Sequence, residues 1–190
     1  MPAHRHGSVD VHYLAIGVRC LIGTVFVVSF IGKFTARGAL ADLVGSLREL
    51  RLLPENRVRT AARLLTTAEG GIAALLIAPS STLAGLGLGA AALLLTVFAA
   101  GIGIAVRRGA HAVCACFGPS QVPLGRRHVV RNALLAAVAV TGIAASASTS
   151  PVSPGPAVVA AVSGLLTGVL ITRLDDLFDL LFPSAGPTGR

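Results

Sequence analysis

LAGLGLGAAALLLTVFAAGIGIAV, residues 83–106, carries no charged side chain and no proline. About 20 mostly apolar residues in helical form cross the hydrocarbon core of a bilayer. Lipid cannot satisfy exposed backbone groups, so such a stretch must be helical there. Four further apolar runs surround it, at residues 13–32, 61–78, 129–147 and 157–174, of which the second and the last are the shortest. The chain as a whole agrees. Of its 190 residues 54% are hydrophobic and only 13% are charged, and mean hydropathy is +0.80. A soluble domain needs about a quarter charged residues to cover its surface. The expected fold is therefore all-α: a polytopic transmembrane helical bundle of four core spans and a fifth, with membrane lipid as its solvent.

Between the spans the punctuation is legible. Pro79-Ser80-Ser81 reads as a tight turn, and residues 148–156 as an uncharged, proline-rich loop. After the first span, Leu40, Leu43, Val44, Leu47 and Leu50 recur at helical spacing, with Asp42, Arg48, Glu49 and Arg51 elsewhere on the wheel and Pro54 ending the run. This predicts an amphipathic helix lying in the interface. A second amphipathic turn follows the fifth span, at residues 174–182. The transmembrane domain is expected over 13–182, between a polar N-terminal tail at 1–12 and a C-terminal tail at 183–190. Ala39-Leu40-Ala41 resembles a signal cleavage site, but Lys33 and Arg37 separate it from the apolar run and Arg19 lies inside that run, so the first span reads as uncleaved.

The net charge of +8 does not read as nucleic-acid binding, because the basic residues sit between the spans, where the positive-inside rule expects them. With five spans, two segments share one side of the membrane, here called side B. One carries Lys33, Arg37, Arg48, Arg51, Arg57, Arg59 and Arg63; the other carries Arg107, Arg108, Arg126, Arg127 and Arg131. The opposite side, A, holds Arg5 and Asp10 and two uncharged loops. Side B is accordingly expected to be cytoplasmic, in the plasma or inner membrane.

Chemistry concentrates in the second of those segments, at Cys114-Ala115-Cys116-Phe117-Gly118. Two thiols one residue apart can hold a strained disulfide, and strained, exposed disulfides are the labile, oxidising ones. Nearby arginines favour the thiolate and raise its reactivity. Gly118 and Pro119 keep the loop open beside Phe117. Thiol–disulfide exchange is the favoured use, with soft-metal binding and no thiol chemistry as alternatives. His111 and His128 flank the pair without a recognised ligand spacing, so no metal site is expected. Cys20 lies roughly 20 Å in depth from the B-side end of its helix, beyond disulfide reach, and reads as a small interior residue. Arg19 and Glu69 stand within spans, where ionisable groups are costly and face the bundle interior; they are expected to pair with each other. Lys33 is expected to snorkel to the head groups. Glu69-Gly70-Gly71 and Gly85, Gly87 and Gly89 offer small faces for helix contact. No Walker loop, HExxH, nucleophile elbow or dinucleotide fingerprint occurs.

Together these elements resemble a known family. Arg19-Cys20-Leu21-Ile22-Gly23-Thr24-Val25-Phe26 and Ser29-Phe30-Ile31-Gly32-Lys33-Phe34 are similar to the first helix of the DoxX-like superfamily, and Leu53-Pro54 with Glu69-Gly70-Gly71 continues the likeness. Cys114-Ala115-Cys116-Phe117-Gly118 followed by Arg131-Asn132 resembles the MauE branch, the methylamine-utilisation membrane proteins. The likeness covers roughly residues 15–145. It implies a redox-associated inner-membrane bundle that supports maturation of a disulfide-rich partner beside a thioredoxin-like protein. Cys114 and Cys116 would be the redox pair, and Arg19 and Glu69 the intramembrane polar residues. No bound cofactor is expected; a lipid-soluble quinone is a candidate electron acceptor. A non-catalytic membrane scaffold is the second reading, and a small-solute carrier the third. Maturation of an exported partner would call for thiols on the outer face, in tension with the charge bias.

Overall fold

The computed structural model describes residues 3–35, 38–50, 52–108, 126–146 and 153–181, with side chains from Val11 to Arg173. Six helices run through them: α1 (Ala3–Thr35), α2 (Ala39–Glu49), α3 (Glu55–Ile77), α4 (Ser81–Arg107), α5 (Arg126–Ser146) and α6 (Pro154–Leu181). Five are long and apolar enough to cross a membrane, all but α2. Large apolar side chains cover the outside, among them Phe34, Leu64, Ile77, Leu93, Leu134 and Leu166. Water would not tolerate such a surface, and lipid requires it.

Local signals place the helix ends. Gly38 turns the chain between α1 and α2 at φ 88°, a left-handed conformation that glycine adopts without a Cβ penalty. Pro54 precedes α3 in extended conformation. Ser80 caps α4, its Oγ accepting from Leu83 N at 3.4 Å. α6 takes in Pro154, Gly155 and Pro156, which the sequence reading had left in a loop; prolines are at home in a first turn, where no N–H partner is needed. α1 likewise extends back to Ala3 through the expected polar tail. The expected amphipathic turn after the fifth span is a continuation of α6 to Leu181.

α1 is the axis of the bundle and touches each of the other five helices. Its inner stripe, Val18, Ile22, Val25, Phe26, Ser29 and Lys33, is buried at i, i+3 and i+4 steps. Two apolar clusters stack along it. The first joins Val18, Ile22, Val25 and Phe26 to Ile72, Leu76, Leu88, Leu95, Leu135 and Ala139. The second, at the opposite end, joins Leu43 and Leu50 of α2 to Ala62, Ile102 and Ala105. Among the described residues α6 packs on α1 alone, and the approach is close enough that glycine is required. A Cβ on Gly164 would lie 2.2 Å from the Gly17 carbonyl oxygen, and one on Gly168 would lie 2.9 Å from that of Leu21. Small residues spaced by four are the ordinary means of bringing helices this near in lipid. Of the glycines singled out from sequence, Gly70 packs on Phe30 and Gly87 on Leu75 and Leu76, whereas Gly71, Gly85 and Gly89 meet nothing.

Candidate functional site: a buried ion pair between α1 and α3

Cys114, Cys116, Phe117 and Gly118 lie outside the described residues. The ends of their segment are described: α4 stops at Arg107 and α5 starts at Arg126. α1 ends at Thr35 on that same side, because α5 runs antiparallel to it; the site of a Cβ on Gly142 is 2.5 Å from Val18.

Just inside that end is a layer of buried polar groups. Lys33 Nζ meets Glu69 Oε1 at 2.5 Å and Ser29 Oγ at 3.1 Å. The two charged side chains are 3% and 2% exposed. From α5, Asn132 is equally buried, its Nδ2 donating to His128 O at 2.9 Å, and His128 is buried one turn nearer the helix start. α1 supplies Ser29 and Lys33 four residues apart on one face, α3 supplies Glu69, and α5 supplies His128 and Asn132, again four apart. An ion pair so far from water keeps its charges only because each has an immediate partner.

Two expectations change here. Lys33 does not snorkel to the head groups; it turns inward to Glu69. Arg19 does not pair with Glu69. Its Nε donates to Leu76 O at 2.7 Å and its Nη2 donates to Ala78 O, so it caps the C-terminus of α3, where the helix dipole favours a cation. The reason is register. Pairing of Arg19 with Glu69 requires spans one and two to begin level on side B. α3 instead starts at Glu55 and runs several turns past the end of α1 beneath α2, so Glu69 stands opposite Lys33, about 21 Å along α1 from Arg19. The missed signal was Lys33 itself, a cation four residues after Ser29 on the buried stripe.

Cys20 is half-buried, and its thiol has no disulfide partner among the described residues. It lines a groove of about 550 Å³ with Arg19, Gly23, Thr24, Leu76 and Leu165, at the level where α6 crosses α1. No group of three metal-ligating side chains occurs among the described residues.

These observations define a polytopic α-helical membrane protein with a buried ion pair near the end of the bundle where α4 stops and α5 starts. The family model described as methylamine utilisation protein MauE matches residues 11–145, and the chain belongs to that family. The match takes in α1 from Val11 through α5 nearly to its end, with the cysteine loop, and leaves α6 outside. No curated protein and no solved structure matches the chain.

Proposed function

We infer that the chain is a membrane thiol–disulfide relay that supports maturation of a partner protein, with Cys114 and Cys116 as its redox couple. The observation that carries this reading is the Cys-x-Cys element itself, inside the MauE match and framed by Arg107, Arg108, Arg126 and Arg127, which favour thiolate over thiol. In one cycle the Cys114–Cys116 disulfide is attacked by a partner thiolate, and the mixed disulfide resolves. The partner leaves oxidised and the pair is left as a dithiol. The dithiol then returns two electrons and two protons to an acceptor, a quinone that becomes quinol or the disulfide of a thioredoxin-like protein. We place the loop on the cytoplasmic side, because the basic residues gather there and the opposite side has almost none. The family description makes a partner in methylamine utilisation the first to try.

The test replaces Cys114 and Cys116 by Ser, singly and together, and measures partner oxidation against membrane abundance. A relay loses activity in all three variants at unchanged abundance. Retained activity in the double variant sinks the relay and leaves a scaffold. Labelling the two thiols with an impermeant reagent, in intact and in permeabilised cells, reads the side.

A further inference from the structure

The seam between the two apolar clusters holds the chain's costliest groups. Leu95, Leu135 and Ile72 close it on one side; Phe98, Val129 and Leu65 close it on the other. Ser29, Lys33, Glu69 and Asn132 fall between them on three different helices, and each is more than nine-tenths buried. Two acceptors in the seam have no hydrogen-bond donor among the described residues: Glu69 Oε2 and Asn132 Oδ1. Asn132 cannot relieve this by turning its amide, because Nδ2 is committed to His128 O, and a flipped amide would set two oxygens against each other. A buried acceptor left bare forfeits the hydrogen bonds it makes in water with nothing in return. A pair kept only for stability would be served as well by apolar side chains of similar volume, without two bare oxygens beside it.

A water molecule has two hydrogens to donate, and interior waters characteristically bridge such groups. Ionisable residues inside membrane spans are costly, pair with one another, and are found along proton and ion paths. We propose that the seam is an internal proton-binding site: one ordered water donates to Glu69 Oε2 and Asn132 Oδ1, and the Lys33–Glu69 pair takes up a proton from side B and releases it there. Uptake converts Lys33 ammonium and Glu69 carboxylate into Lys33 ammonium and Glu69 carboxylic acid; release reverses it. The groups around Glu69 suit this. α1 contributes Lys33, and α5 contributes His128 and the half-buried Arg131, both nearer the rim than Asn132. Among the described residues α4 brings apolar Leu95, Phe98 and Ile102 to the two clusters, and α2 contributes buried Ser46. On α3 the ionisable residue preceding Glu69 is Arg63, which is exposed. The polar path therefore leads out past His128, toward the end where the cysteine loop attaches.

The experiment uses the full chain, isotopically labelled, in lipid nanodiscs. It records magnetisation transfer from water to the Glu69 carboxyl and Asn132 amide carbons, and follows the Glu69 carboxyl resonance with pH. Transfer to both carbons and a moving carboxyl resonance are expected. In Asn132→Leu, which keeps the volume, transfer to Glu69 falls to background. In Glu69→Gln, transfer to Asn132 persists and the titrating carboxyl is gone; this variant carries the test if Asn132→Leu does not fold. The Cys114→Ser/Cys116→Ser chain gives unchanged signals, because the site does not depend on the relay. Overturning results are absence of water transfer in the native chain, a carboxyl resonance fixed at every pH where the protein stays folded, or signals that vanish with the sulfurs.

Discussion

α1 is held to its neighbours by two opposite devices. Toward α6 it presents backbone: Gly17 carbonyl faces Gly164, and Leu21 carbonyl faces Gly168. Toward α3, at its other end, it presents Ser29 and Lys33 to Glu69, while Asn132 of α5 is buried as fully as Glu69. The first seam works by removing side chains so that dispersion acts over a long, close contact. Apolar burial offers no driving force between helices already in lipid. The second seam inserts groups that lipid penalises, so it is stable only while complete. A close-packed seam is thus sensitive to added volume, and a polar seam to a missing partner. α6, which uses the first device only, lies outside the family match, whereas the polar seam lies within it.

The comparison breaks most sharply at Glu69. Glu69→Leu leaves the Lys33 ammonium buried without its carboxylate, and is expected to cost about 3–5 kcal/mol. The double variant Lys33→Met/Glu69→Leu should recover much of that loss. Denaturant titration in mild detergent measures both, and a double variant as damaged as the single one would show that the pair is not coupled. Next in size is Gly164→Val, whose Cβ must displace backbone and not a flexible side chain. Overpacking of this kind costs about 1–3 kcal/mol. Here the loss should appear as protease access along α6 while the rest of the bundle stays protected. Gly71→Val, with open space at its Cβ site, is the matched control and should change neither readout.

What could be read from sequence divides along the same line. The five spans and α2 were legible because lipid imposes length and composition on every crossing helix, and residues 83–106 or Leu40 to Leu50 display that constraint without reference to any neighbour. The α1–α6 seam was not, because Gly17, Gly164 and Gly168 look no different from Gly71 or Gly89 until the helices are docked. Glu69 was legible as an interior residue and its partner was not. Pairing depends on the relative height of two helices, and α2 lets α3 begin well beyond the end of α1. The cysteine element was recognisable from its spacing alone; its residues lie outside those the structure describes.

Smaller effects sharpen the contrast at the two ends of α3. Arg19→Met removes both donors from the Leu76 and Ala78 carbonyls and the cation from the dipole's negative end. About 1–2 kcal/mol is expected, since one charged donor set is lost but the carbonyls stand at a helix end. Arg19→Lys should restore part of it, keeping the charge without the two-pronged geometry. At the other end, Arg48 Nη2 meets Glu55 Oε1 at 2.5 Å, the same separation as Lys33 and Glu69, but with side chains 56% and 66% exposed. The Glu55 hydrogen bond holds the Arg48 guanidinium above its usual pKa, so the guanidinium stays charged. Water competes for both partners, and exposed pairs of this kind contribute little. Arg48→Ala should therefore leave the detergent titration midpoint unmoved where Glu69→Leu shifts it strongly. Two ion pairs of equal closest approach, one ammonium and one guanidinium, would then differ in cost as they differ in burial, and a comparable loss at Arg48 would show that desolvation does not set the cost.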